Sequence, residues 1–162
     1  MLKEAMMRKT IIGVIGAGQV SETGYAVARE VGRRIGEGGA VLVCGGLSGV
    51  MEAACRGCSE VGGETLGLLP GGDAATANPY VTLAVPTNMG HARNVIIAHT
   101  AQVLIAVEGE YGTLSEMAVA LKLGKPVVAL DSWPGIDDVI EAASAEEAVT
   151  LALQLATGQR EA

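Results

Sequence analysis

The chain has little aromatic character: it contains no phenylalanine, and aromatic residues make up only 2% of its 162 residues. Its hydrophobic residues, 49% of the total, are mainly aliphatic, so we expect a core of Val, Ile, Leu, Ala and Met. This hydrophobic content excludes a disordered chain and suffices for one buried core. The length predicts a single domain over residues 1–162, with residues 1–8 and 158–162 flexible.

Positive charge is also scarce, with 11 Lys and Arg against 18 Asp and Glu and a net charge of −7. A basic face is what nucleic acids and anionic membranes require, so we expect neither as a partner. No apolar run reaches the about 20 residues of a membrane span. The charged start of the chain does not resemble a secretory signal, and we therefore expect a cytoplasmic protein.

Cysteine and histidine are too few to predict a disulfide framework or a metal site. The three cysteines are Cys44, Cys55 and Cys58, and the two histidines are His91 and His99. An odd number of cysteines argues against a set of disulfides. The isolated C-x-x-C at residues 55–58 falls inside a predicted helix and lacks the further ligands of a zinc site, so we expect it to pack.

Short apolar runs alternate with longer amphipathic ones along the whole chain. The short runs predict strands at residues 10–15, 40–44, 65–69, 81–85, 103–107 and 126–130, and near 139–142. Most are apolar on both faces, which is typical of parallel strands covered by helices on both sides. The longer runs predict helices at residues 22–36, 50–61, 91–100, 113–123 and 145–156. The pattern predicts a single-domain α/β fold, a three-layer α/β/α Rossmann-like sandwich with a mainly parallel sheet of six to seven strands.

Glycine is abundant, at 23 residues, and clusters where the predicted strands end. Ligands of open parallel sheets bind beyond these strand ends. Glycine lets a phosphate approach the backbone, and a following helix offers free amides and the positive end of its dipole. We therefore predict a site for a small phosphorylated ligand, with these binding residues: Gly16, Gly18, Gly45, Gly46, Gly49, Met51, Arg93, Gly109, Tyr111, Gly112 and Thr113.

Two common nucleotide sites do not fit these loops. The dinucleotide fingerprint requires a third glycine where Ser21 stands, and an acid after the second strand where Cys44-Gly45-Gly46 stands. A P-loop requires Gly-Lys-Ser/Thr, which no glycine-rich loop here contains.

Two charged residues near these loops are candidates for chemistry. Arg93 falls in the first turn of a predicted helix, where the dipole disfavours a cation, so an anionic partner would explain its position. A surface salt bridge explains it too. Glu116 falls in the first turn of the next helix, where a carboxylate suits the dipole without any catalytic role.

Three segments together resemble the LOG superfamily over about residues 11–155: GGLSGVME at 45–52, GHARN at 90–94 and GEYGTLSE at 109–116. Within that superfamily the chain is most similar to the molybdenum cofactor carrier-like and DprA/Smf-related branch. The resemblance implies that Arg93 and Glu116 occupy the positions of the arginine and glutamate that LOG phosphoribohydrolases use on the N-glycosidic bond of nucleoside 5′-monophosphates. It also implies a homodimer or homotetramer.

The chain departs from the LOG signature where phosphate would bind. Glu108 replaces a proline and Glu110 a glycine, while Asn94 replaces a lysine. Two unit charges about 4 Å apart interact by roughly 4 kcal/mol near a protein surface, so a carboxylate facing the pocket would weaken phosphate binding. If the carboxylates of Glu108 and Glu110 both point away from the pocket, these replacements alter only the geometry of the turn.

Three functions remain open from the sequence. The first is a binding protein for a nucleotide or a phosphorylated pterin-type cofactor, with no cofactor required for activity. The second is a LOG-like phosphoribohydrolase releasing free base and ribose 5-phosphate, with Arg93 and Glu116 as catalytic residues. The third is a non-catalytic regulatory or structural oligomer. Lysine decarboxylase activity, a label used in the superfamily, requires a lysine that holds pyridoxal phosphate as a Schiff base. We exclude this activity because Lys122 and Lys125 end a helix far from the strand tips.

Overall fold

The computed structural model describes residues 7–158, and residues 1–6 and 159–162, in the predicted flexible ends, lie outside it. Seven strands, β1 to β7, span Ile11–Gly16, Val41–Cys44, Thr65–Leu69, Leu83–Pro86, Val103–Val107, Val127–Leu130 and Val139–Glu141. Five helices, α1 to α5, span Glu22–Glu37, Val50–Glu60, Arg93–Thr100, Tyr111–Lys122 and Ala145–Gly158. Two short 3₁₀ turns, Ala74–Thr76 and Gly90–Ala92, precede β4 and α3.

All seven strands form one parallel sheet in the order β4-β3-β2-β1-β5-β6-β7. Buried residues of α1, α2 and α5 pack on one face of the sheet, and those of α3 and α4 pack on the other. The central strands are buried on both faces, as their continuous apolar runs predict. The predicted three-layer α/β/α architecture is confirmed.

Helices α1 and α2 approach so closely that glycine is required at their contact. A Cβ added to Gly32 of α1 would lie 1.8 Å from the Ala54 carbonyl oxygen of α2. A Cβ on Gly57 would likewise lie 1.8 Å from the Arg29 carbonyl oxygen. Since the loops before these helices belong to the glycine-rich edge, the close packing of α1 on α2 fixes their relative position.

Several element ends differ from the sequence-based prediction. The strand expected at 81–85 begins at Leu83, because the Val81 amide donates to the Asn78 carbonyl and not to a neighbouring strand. The helix expected from 91 begins at Arg93, after the 3₁₀ turn. The helix expected from 113 begins at Tyr111, because the Leu114 amide already bonds to the carbonyl of residue 110.

The three cysteines are buried and free, and Cys44 Sγ lies 3.5 Å from Cys55 Sγ. Within residues 7–158, no three His, Cys, Asp or Glu side chains gather as metal ligands. In the same range, no helix is both long and apolar enough to span a membrane.

Candidate functional site

A cavity of about 170 Å³ lies at the carboxyl ends of the central strands. Its wall comes from the end of β1 and the loops after β1 and β2, and from the first turns of α3 and α4. The chain leaves β1 towards β2 on one side and leaves β5 towards β6 on the other, so the loops diverge here. This divergence is where ligands of doubly wound sheets bind.

Eight of the predicted site residues line this cavity. They come from four separate loops or helix ends: Gly16, Gly18, Gly45, Met51, Arg93, Gly112, Thr113 and Glu116. The remaining four, Gly46, Gly49, Gly109 and Tyr111, do not line it.

Two of these four residues are glycines that shape the loops. Gly49 has φ of 70°, and a Cβ there would lie 2.2 Å from the Ala17 carbonyl oxygen, so the loops after β1 and β2 can touch only with glycine. Gly109 has φ of 120°, and its Cβ would lie 2.5 Å from Thr113. Both positions require a residue without a side chain.

Arg93 is a buried cation at the wall of the cavity. Its residue is only 8% exposed, and its guanidinium lies over Gly45, whose added Cβ would be 2.8 Å from Nη1. Nη1 donates to the Asn94 side-chain oxygen, but among residues 7–158 the buried Nε has no hydrogen-bond partner. Burial lowers the pKa of Arg93, although arginine keeps its charge in proteins. An unsatisfied buried donor of this kind calls for an acceptor.

Glu116 is a buried carboxyl in the same cavity, 7% exposed. Removal from water raises its pKa to about 7, against the opposing attraction of Arg93. Within residues 7–158, no ion pair shorter than 4 Å joins the two side chains, and no hydrogen bond uses the Glu116 carboxyl. Glu116 is therefore an anionic neighbour of Arg93 that forms no ion pair with it and leaves Nε of the guanidinium without a partner among the described residues.

The first turn of α4 supplies free amides beside these charges. Its N-cap residue, Glu110, makes no side-chain capping bond. Within the described residues, no hydrogen bond uses the amides of Gly112 or Thr113, which line the cavity. Free amides at a helix start attract negative oxygen atoms.

The two carboxylates added to this loop have different positions. Glu108, with φ of 50°, turns its side chain to Ser21, accepting from the Ser21 hydroxyl and, at 3.4 Å, from its amide. Ser21 is the N-cap of α1, so Glu108 ties the loop to that helix and does not line the cavity. Glu110 does line the cavity and is exposed.

Sequence reasoning did not single out two features of the site. The sequence marked Asn94 only as a replacement for the lysine of the LOG signature, yet Asn94 lines the cavity and its side-chain oxygen accepts from Arg93. Trp133, after β6, stacks on Tyr111 with ring centroids 5.8 Å apart and an interplanar angle of 30°. The sequence offered no signal for this contact beyond the rarity of tryptophan, which occurs once in the chain.

Comparison with known proteins identifies the family. The model of the SLOG cluster4 family matches residues 9–159. The chain belongs to the SLOG cluster4 family. The predicted relationship to the LOG superfamily is thereby confirmed.

Solved structures of similar proteins come from the branch that the sequence indicated. The molybdenum cofactor binding protein of Rippkaea orientalis is 36% identical with a TM-score of 0.87, over 92% of this chain and 98% of that one. The Moco carrier protein of Chlamydomonas reinhardtii is 38% identical with a TM-score of 0.85, over 93% and 99%. An uncharacterized protein of Archaeoglobus fulgidus is 46% identical over 88% of this chain and 94% of its own length.

A more distant structure shares the fold alone. DNA processing protein A of Streptococcus pneumoniae is 19% identical with a TM-score of 0.71, over 88% of this chain and 61% of that one. The SLOG cluster4 chain therefore has a Rossmann-like fold that occurs in proteins of different activity.

Proposed function

We propose that this protein binds a phosphorylated pterin-type cofactor or a nucleotide, with the anionic group of the ligand in the cavity against Arg93. Such a protein would carry its ligand and need not transform it. The observation that carries the proposal is Arg93, a buried cation at the wall of an open cavity whose Nε has no hydrogen-bond partner among the described residues.

The rest of the wall supports an anionic ligand. Arg93 and the free amides of Gly112 and Thr113 belong to the wall of the same cavity, so a phosphate bound there would find hydrogen-bond donors of both kinds. Glu108 does not block this position, since its carboxylate is held by Ser21.

The similar proteins support the pterin-type ligand in particular. Two structures that are 36% and 38% identical are described as a molybdenum cofactor binding protein and a Moco carrier protein. The net charge of −7 favours a small anion held at a local cationic site over a nucleic acid. A homodimer or homotetramer remains a prediction.

Calorimetric titration with inorganic phosphate, GMP, AMP and neopterin monophosphate tests the proposal. We expect Arg93→Met to weaken binding of every phosphorylated probe roughly tenfold to a hundredfold, since a charge-assisted hydrogen bond contributes about 1.5–3 kcal/mol. Arg29→Met is the matched control, because Arg29 pairs with Glu60 on the α1–α2 surface. Equal affinities of wild type and Arg93→Met would overturn the proposal.

A phosphoribohydrolase is the second candidate, and Glu116 is the observation that favours it. A carboxyl with a pKa of about 7 can donate or accept a proton near neutral pH. In this reaction Glu116 would orient the ribose or stabilise the positive charge that develops on it, while Arg93 would hold the phosphate or assist the leaving base.

Incubation with AMP, GMP and CMP, followed by chromatography for the free base, tests the hydrolase. Turnover that is lost in Glu116→Ala supports it. Release of base that is unchanged in Glu116→Ala excludes this mechanism, and release of no base from any of the three leaves the binding function as the assignment.

A further inference from the structure

The cavity is small for a whole nucleotide or pterin phosphate. Its volume of about 170 Å³ is below the about 300–1,000 Å³ of typical ligand pockets. A phosphate group fits within such a space. With its phosphate against Arg93, a ligand would direct its attached ring towards the open side of the cavity.

An exposed aromatic residue stands in the chain between two residues that line the cavity, and the fold does not explain its exposure. Tyr111 is 81% exposed, although its chain neighbours Glu110 and Gly112 both line the cavity. One face of its ring lies on Trp133, at 5.8 Å between centroids and 30° between planes.

Trp133 is held in place by hydrogen bonds at the loop before α4. Trp133 Nε1 donates to the Glu110 carbonyl oxygen at 3.1 Å. The neighbouring Ser132 hydroxyl donates to the Glu108 carbonyl oxygen at 2.6 Å. Trp133 is half-buried, so it offers an anchored surface on which the exposed Tyr111 ring stacks.

We propose that Tyr111, backed by Trp133, is a stacking platform for the flat heterocyclic ring of the ligand whose phosphate binds at Arg93. The inference rests on the proposed binding function and divides the ligand into two parts. The phosphate end takes its affinity from Arg93 and the α4 amides. The ring end takes its affinity from the face of Tyr111, as aromatic rings and bases attract each other in offset stacks.

The platform explains why two of the few aromatic residues meet at the start of α4. Aromatic residues make up 2% of the chain, and the pair contains its single tryptophan. Stacking on a ring is tolerant of ring identity, since every purine and pterin has a π face. The platform therefore selects ligands with a flat heterocycle over sugar phosphates that lack one.

Three probes test the inference by calorimetry: GMP and neopterin monophosphate, which carry a flat heterocycle, and ribose 5-phosphate, which is GMP without its base. We expect wild type to bind the two ring-bearing probes more tightly than ribose 5-phosphate. Tyr111→Ala should weaken both ring-bearing probes by about tenfold to a hundredfold and leave ribose 5-phosphate unchanged. Tyr111→Phe keeps the stacking face and should match wild type for all three.

Trp133 provides an independent signal, because it is the only tryptophan. Binding of GMP or neopterin monophosphate should change its fluorescence, whereas ribose 5-phosphate should leave it nearly unaltered. If the ring reaches Trp133 through Tyr111, the fluorescence change at saturating probe should be smaller in Tyr111→Ala than in wild type. The affinity measured by calorimetry decides the test.

Each outcome decides between the proposals. If ribose 5-phosphate and GMP bind equally well, or Tyr111→Ala keeps full GMP affinity, the platform is wrong and the binding function stands. If Tyr111→Ala changes only the sedimentation mass, the exposed ring belongs to a contact between copies, and the platform is again wrong. If none of the probes binds wild type, the binding function and the platform fail together.

Discussion

Glu116→Gln tests whether the buried carboxyl of the cavity destabilises the folded protein when it ionises. Because burial raises its pKa from 4.5 to about 7, ionisation is harder in the folded protein than in the unfolded chain. At pH values well below 4.5 the carboxyl is protonated in both states and has no effect. As the pH rises from 4.5 to about 7, the unfolded chain ionises first, so the free energy of unfolding falls.

The size of this effect follows from the two pKa values. The difference between 4.5 and about 7, at about 1.4 kcal/mol for each pH unit, corresponds to about 3 kcal/mol. The attraction of Arg93 is already included, because it acts on the ionised carboxylate in the folded protein. Glutamine keeps the shape of the protonated carboxyl and does not ionise. We therefore expect Glu116→Gln to be up to about 3 kcal/mol more stable than wild type at about pH 8.5.

Urea denaturation followed by circular dichroism, at about pH 4.5 and about pH 8.5, measures the difference. The stability of the two proteins should agree at the lower pH and separate at the higher one. Glu110→Gln is the matched control, because Glu110 is exposed, and it should show no such separation. A Glu116→Gln protein that is no more stable than wild type at the higher pH refutes the reasoning.

Two further pairs of variants test the cavity wall and the contact between α1 and α2. Glu110→Gln should tighten phosphate binding by roughly fivefold, because it removes one exposed negative charge from the cavity wall. The repulsion between two unit charges about 4 Å apart in water is about 1 kcal/mol. Glu108→Gln should not tighten binding, and calorimetry with inorganic phosphate at low salt compares the two variants. Gly32→Ala should destabilise the fold by about 2–3 kcal/mol in urea, because its Cβ would lie 1.8 Å from a carbonyl oxygen of α2. Gly71→Ala, where a Cβ meets no atom within 4 Å, should leave stability unchanged, and a Gly32→Ala protein as stable as Gly71→Ala would contradict the account of close helix packing.

The fold was predictable because its central strands are buried on both faces. A run such as Val103–Val107, entirely apolar, predicts a covered parallel strand regardless of its neighbours. The edge strand was the exception, with its start misplaced by two residues. Leu83 and Val85 are exposed at the sheet edge, so burial does not mark the limits of β4 as it does those of the central strands.

The composition of the cavity wall was largely predictable, but the directions of side chains were not. Glycines after strands and the first turns of helices must converge at one edge of a parallel sheet, which brings Gly45 and Gly112 together. The direction of Glu108 depends on Ser21, a residue 87 positions away whose hydroxyl caps another helix. No local pattern contains such a contact.

The capping of α5 shows the same limit on a smaller scale. Ser144 and Glu147 have the spacing of a capping box, in which the serine hydroxyl accepts from the amide three residues later, and the structure has this bond at 3.1 Å. The Glu147 carboxylate reaches back to the amide of Ala143, one residue before the cap, at 2.7 Å. Local spacing fixes which residues meet, but the path of the chain before the helix decides which amide is free.

A crystal structure of the protein with neopterin monophosphate, or with GMP, tests the central claim most directly. The account predicts phosphate density in the cavity, within hydrogen-bond distance of Arg93 and of the amides that begin α4. Phosphate density elsewhere, with Arg93 Nε still unpaired, would contradict it. A separate cavity of about 270 Å³, lined by Thr23 of α1 and by Ser144 before α5, is one such place.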